Sequence, residues 1–282
     1  MDNRTKKVEI AESLRDARSR GDLLPVPNSD WLHPNSLYAN AVIFSACNSK
    51  VKRGTGQFGY KYSLSYGKPS IMACPFAGKC HEYCYASIVT GMYKNSLRMK
   101  GHNYYQVYRN SHSAESILEC LENGLKVSKY GYKTDIIRIN DDADFMFYNE
   151  LKAWYLFAIN HPEIVMYGYT KSTPYFYRLL KEFGQMPSNF RINISVTDNP
   201  ESTEYLGRIQ SEFPEYAITC TIIESIETDI IEIPFNNEEE YAIKHVQNFK
   251  IAIHGTFKAN TPEFVANKYF KEFAKEANIK VC

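Results

Sequence analysis

From residue 71 to the C-terminus, short apolar runs rich in β-branched residues alternate with longer stretches of helical period. That alternation is the signature of βαβ units wound into a parallel sheet. Strands are expected at Ile71–Ala73, Asp135–Asn140, Ile164–Thr170, Phe190–Val196, Ala217–Ile222 and Lys250–His254. Helices are expected at Ser113–Ser128, Tyr148–Asn160, Pro174–Phe183, Glu201–Glu212 and Pro262–Asn278. Pro174 and Pro262 fall where a first helical turn tolerates proline. Residues 223–248, which include the acidic Glu238–Glu240, read as a loop and one short helix. The expectation is an α/β fold, a partial (β/α) barrel over residues 71–282 that carries a cysteine loop. Residues 1–70 read as an extension packed on it: a polar helix from Val8 to Arg18, a connector broken at Pro25 and Pro27, and a loop or hairpin over 48–70.

Several expected strands run directly into polar residues. Ile139 leads into Asn140, Asp141, Asp142 and Asp144, and Tyr169 into Thr170, Lys171 and Ser172. Ile194 leads into Ser195, Thr197 and Asp198, and Ile253 into His254 and Thr256. In a parallel barrel the C-terminal strand ends converge on one face, where active sites are built. Helix capping accounts for Ser172 and Asp198, each just ahead of a proline-started helix. It accounts poorly for Asn140, Lys171 and His254.

The densest chemical signal is Cys74-Pro-Phe-Ala-Gly-Lys-Cys80-His-Glu-Tyr-Cys84. Three thiolates on one loop can converge on a single metal, and thiolates select zinc or iron–sulfur clusters over hard cations. Structural zinc wants a fourth ligand. His81 is awkward beside Cys80, and Cys47 or Cys120 would have to come from elsewhere. Three cysteines without a fourth suit a cubane whose remaining iron stays open. Cys120 and Cys220 fall inside apolar periodic segments and read as small core residues, and Cys282 as a terminal thiol. His102, His112 and His161 show no metal-ligand spacing and read as surface or capping residues.

Seven cysteines, an N-terminus without the apolar core of a signal peptide, and no bilayer-length apolar run point to a cytoplasmic protein without a disulfide framework. Charge is unevenly spread: residues 50–133 carry 13 Lys/Arg against 4 Asp/Glu, and residues 134–282 carry 14 against 22. A local positive field suits an anionic substrate, a nucleotide or an acidic reductase.

The loop CPFAGKCHEYCYA, preceded by Asn48-Ser49-Lys50 and Tyr62-Ser63-Leu64, resembles the phage gene product 88 family. The runs Ile137–Phe145 and Met166–Ser172 match that family's strand-end signatures, so the resemblance covers roughly residues 45–200. The family looks related to radical S-adenosylmethionine (SAM) enzymes, whose cysteine spacing is usually C-x-x-x-C-x-x-C. Here the gaps are five and three residues. The resemblance implies a partial barrel of the radical-SAM type, with a [4Fe–4S] cluster on Cys74, Cys80 and Cys84 and SAM on the open iron. It places Tyr83 beside adenine, Asp142 and Asp144 near the SAM amino group, and Ser195 near the ribose and carboxylate. Asn140 and Thr170 join them at the same mouth. A flavodoxin-type or other reductant would supply electrons, and the setting would be a bacteriophage's host cytoplasm.

The leading expectation is therefore a radical-SAM enzyme acting on an anionic or nucleotide-like substrate, with Asp144, Lys171 and His254 as polar contacts to SAM or substrate. A lysine at the barrel mouth can hold a carboxylate or phosphate as a point charge. A second reading is a non-catalytic protein stabilised by zinc or iron–sulfur that binds nucleic acid or a host protein, since tyrosines interleave the basic segment. A third is an electron carrier that needs no substrate cavity.

Overall fold

The computed structural model describes residues 31–46, 60, 62–69, 73–78, 94–223, 232–233 and 238–252. The elements are β1 (Ser45–Ala46), β2 (Ser63–Ser65), α1 (Lys94–Arg109), α2 (Ala114–Val127), β3 (Ile136–Ile139), α3 (Tyr148–Asn160) and β4 (Val165–Thr170). They continue with α4 (Thr173–Phe183), β5 (Phe190–Ser195), α5 (Pro200–Glu212), β6 (Thr219–Ile223), β7 (Glu232–Ile233), α6 (Glu238–Lys244) and β8 (Phe249–Ala252). The strands form one 8-stranded sheet in the order β1-β2-β3-β4-β5-β6-β8-β7. Among the described strands only the β1–β2 pair is antiparallel; β2 onward runs parallel. The sheet is open, with β1 and β7 at its edges, so closure into a barrel is not present among the described residues.

Order in the sheet follows order in the chain from β2 to β6. Right-handed crossovers that advance in one direction deposit their helices on one face. The packing agrees. Ile137 and Ile139 of β3, Met166 of β4 and Ile192 and Ile194 of β5 share one core with Leu121, Trp154, Phe176, Leu180 and Ile209 from α2 to α5. The alternate residues point to the other face. Ile136, Tyr167, Cys220 and Phe249 meet Ala242 and Ile243 of α6 in a second, smaller cluster. In the parallel register, Arg138, Tyr169, Asn193 and Ser195 lie on that face, toward the C-terminal strand ends.

Two expectations need correction. The first parallel strand is Ser63–Ser65, within the stretch read as loop or hairpin, and Ala73 lies in a bend. A strand of three residues gives too short an alternation to register as a period. Helix α1 is absent from the expected elements, because its buried face mixes the apolar Tyr104, Val107 and Tyr108 with polar residues. His102, Asn103 and Gln106 are fully buried on it. Asn103 accepts from Ile43 N and donates to the carbonyls of Ile43 and Gly67. Gln106 donates to Tyr38 O and Ala39 O, and His102 accepts from His33 N. These side chains satisfy the irregular backbone of residues 33–43, so His102 is an interior residue and not a surface one. The expected helices Val8–Arg18 and Pro262–Asn278 lie outside the described residues.

Helix α6 is pinned to the polar face by its own last carbonyls. Arg191 Nη1 donates to Ile243 O at 2.6 Å, and Asn193 Nδ2 donates to Ala242 O at 3.1 Å. His245 follows with φ 52°, its Nδ1 3.1 Å from Asn193 Oδ1. Burial first, and then the Arg191 charge, holds the His245 imidazole down at about 4. The folded chain therefore keeps it neutral while an unfolded chain protonates it near 6.5. Stability from this site is present above pH 6.5 and is lost as pH falls toward 4, by about 3 kcal/mol at full effect. Urea unfolding of wild type and His245→Gln between pH 7 and 4 checks this. Wild type should lose stability relative to the variant as the pH drops.

Candidate functional site

The loop after β3 organises the C-terminal edge. Asn140 and Ala143 both adopt left-handed backbone, with φ 51° and 72°, which turns the chain sharply off the strand. Asp144 sits 3% exposed at the centre of the turn. Its Oδ1 accepts from Thr170 Oγ1 and Phe145 N, both at 2.7 Å, and its Oδ2 accepts from Lys171 N at 2.6 Å. Burial raises its carboxyl above the ordinary value, against the opposing pull of the Lys171 charge and these donors.

The cysteine loop rests on the same turn. Asp144 N donates to Ala73 O at 2.9 Å, one residue before Cys74, which is half-buried. Phe76 is fully buried and meets Tyr175 of α4 edge to face, with centroids 5.1 Å apart. At Gly78 a Cβ would stand 1.7 Å from Asp198 Oδ1 and 2.8 Å from Thr197 Oγ1, so the loop backbone lies directly against the end of β5. Residues 73–78 thus touch the β3 turn, the start of α4 and the end of β5. Gly78→Ala should push the Asp198 carboxylate and the Thr197 hydroxyl aside and loosen this segment, at a cost of about 1 kcal/mol. In metal-free protein, alkylation of Cys74 should then run several-fold faster than in wild type.

Beneath the turn lies a layer of buried charge. Lys68 and Glu150 are both fully buried, and Lys68 Nζ donates to Glu150 Oε1 at 2.5 Å and to Asn140 Oδ1 at 2.8 Å. Glu150 Oε2 accepts from Met146 N at 2.8 Å. Burial pushes the Glu150 carboxyl up, and the Lys68 ammonium pulls it back. Beside this pair Lys100 of α1 donates to Asp142, and Ser65 Oγ donates to Asp141 Oδ2 at 2.5 Å. None of Lys68, Lys100 or Glu150 was picked out from sequence. Lysines in a basic segment read as surface charge, and a glutamate in a first helical turn reads as a capping residue.

The expected site residues now divide. Asn140, Asp142, Asp144, Thr170, Lys171 and the first cysteine, Cys74, are gathered at this edge, and Ser195 ends β5 beside them. The carboxylate of Asp142 faces Lys100, and Asp144 and Thr170 are satisfied by protein groups. Asn140 Nδ2 is buried and has no hydrogen-bond partner among the described residues. Ser172, expected as a cap, instead donates its hydroxyl to Phe145 O, and Asn199 caps α5 in place of Asp198. Tyr83, Cys80, Cys84, Cys47 and His254 lie outside the described residues. Among the described residues no group of three metal-ligating side chains occurs.

The sequence profile of gene product 88 matches residues 42–257, most of the chain. The chain belongs to the gene product 88 family. The matched span covers the whole described sheet, from just before β1 to just past β8. No curated protein and no solved structure gives a match. None of these comparisons links this gene product 88 chain to radical-SAM enzymes. No helix among the described residues is long and apolar enough to cross a membrane.

Proposed function

We propose that this gene product 88 protein is an iron–sulfur enzyme of the radical-SAM type. The observation that carries the proposal is the seating of the loop that opens with Cys74 on the C-terminal edge of a parallel sheet. That edge is where α/β folds place their chemistry. The strand order and the helices α2–α5 on one face support a partial barrel, with α6 covering part of the opposite face. Cys74, Cys80 and Cys84 would hold the cluster, and the half-buried Cys74 at the strand ends fits that role. When bound, such a cluster supplies the electron for reductive cleavage of SAM.

The rest is the work of the chain's own groups. Asp144 ties the cysteine loop to the ends of β3 and β4, so it positions the thiolate segment. Asn140 Nδ2, buried without a partner among the described residues, is the donor best suited to a SAM carboxylate. Ser195 and Lys171 stand at the same edge, and the lysine suits an anionic substrate group. His254 remains a candidate third contact.

Anaerobic preparation with iron, sulfide and a reductant tests the reading. Iron and acid-labile sulfide in equal amounts, with 5′-deoxyadenosine formed from SAM, are the expected results. Stoichiometric zinc with no SAM turnover would support the alternative, a metal-stabilised binding protein.

A further inference from the structure

We infer that the opposite, N-terminal edge of the sheet carries a binding surface for single-stranded nucleic acid, centred on Tyr62, Tyr130, Tyr132, Lys129 and Lys133. Tyr62 directly precedes β2, and residues 129–133 precede β3, so the parallel pairing of these strands brings them together. Tyr132 is 81% exposed, and Tyr62 and Tyr130 are 37% and 38% exposed. Contiguous exposed aromatic surface is where partners dock. The Tyr62 and Tyr130 rings stack at 5.9 Å with an interplanar angle of 26°. Lys129 Nζ lies 5.3 Å from the Tyr130 ring, and Lys133 Nζ lies 5.3 Å from Tyr132 and 5.8 Å from Tyr62. Aromatic faces interleaved with ammonium groups are the two elements that stack bases and track phosphates.

The patch is also held rigid, so binding need not order it. Asp135 N donates to Tyr62 O, and Tyr62 N donates to Asp135 Oδ2, which locks the two strand entries together. Thr134 Oγ1 donates to Tyr130 O, and Lys133 N donates to the same carbonyl at 2.9 Å. Gly131 packs so closely that a Cβ would stand 1.8 Å from Leu125 O, fixing the turn between Tyr130 and Tyr132. The half-buried Asp135 is turned to the Tyr62 amide, and Glu163, ahead of β4, pairs with His161. Residues 50–133, the basic part of the sequence, end at Lys133.

Fluorescence anisotropy of a labelled oligothymidine of ~20 nucleotides, longer than one binding footprint, titrated with the full chain tests this. Tyr132→Ala is expected to weaken binding roughly 10-fold, and Tyr132→Phe to retain it. Lys129→Ala and Lys133→Ala should each lower the slope of log affinity against log salt by about one. Lys181→Ala, which removes an exposed charge on α4, should change affinity less than about twofold. The inference is overturned if oligothymidine does not bind at low salt. It is equally overturned if heparin binds as tightly as the oligonucleotide, or if Lys181→Ala weakens binding as much as Tyr132→Ala. Capture of a folded protein by wild type but not by Tyr132→Ala, without oligonucleotide binding, would assign the patch to a protein partner instead. None of these readouts depends on Cys74 at the other edge.

Discussion

Replacing Cys74, Cys80 or Cys84 singly with alanine is expected to remove the thiolate–iron absorbance and all SAM cleavage, while Cys120→Ala and Cys220→Ala leave both intact. A cubane on three protein thiolates has none to spare, so losing one exposes a second iron and labilises the whole cluster. The surroundings of the other two thiols give the reason for that expectation. Cys120 is 4% exposed on α2, with Asn110 Nδ2 3.4 Å from its sulfur, and burial pushes its thiol up to about 11. It stays protonated at neutral pH and is a poor ligand. Cys220 is buried on β6 in the small apolar cluster with Phe249 and Ile243. Cys47 is the informative control. If Cys47→Ala removes the metal as completely as Cys84→Ala, the site has four protein ligands and is structural.

The largest stability effect should come from the buried Lys68–Glu150 pair. Lys68→Met alone leaves a carboxylate in a fully buried site, and Glu150→Leu alone leaves an ammonium there. Each is expected to cost about 3–5 kcal/mol in urea unfolding, because an uncompensated charge remains in the interior. The double substitution should recover most of that loss, since a well-packed apolar pair avoids both desolvation penalties. Lys68→Met should also disturb the β3 turn, because Asn140 Oδ1 loses its donor. If the double variant is as unstable as the sum of the singles, the pair is not coupled and the charge layer plays no joint role.

The sheet was legible wherever burial is one-sided or apolar. β3, β4 and β5 and the helices α2 to α5 announce themselves by period, and their observed limits lie within a few residues of those expected. What escaped were elements whose interior contacts are polar. Helix α1 buries Tyr104, Val107 and Tyr108 in the core, but His102, Asn103 and Gln106 are buried beside them to satisfy another segment's backbone, and these polar residues mask its apolar stripe. β2 is three residues long and is placed by its neighbour β3, a tertiary fact with no local trace. The strand-end polar residues lie together at the C-terminal edge, and their roles there are not uniform. Thr170 and Asp144 bind one another across β3 and β4, whereas the sequence offers no way to tell a residue that faces a ligand from one that holds a loop.

The claim that most needs testing is that the loop opening with Cys74 presents a cluster with an open iron to SAM at the strand ends. Electron paramagnetic resonance of the anaerobically loaded, dithionite-reduced protein, recorded with and without SAM, addresses it directly. A reduced-cluster signal that depends on Cys74 and changes shape when SAM is added is the expected result. A signal indifferent to SAM, or a protein that takes up zinc and gives no cluster signal, would contradict it.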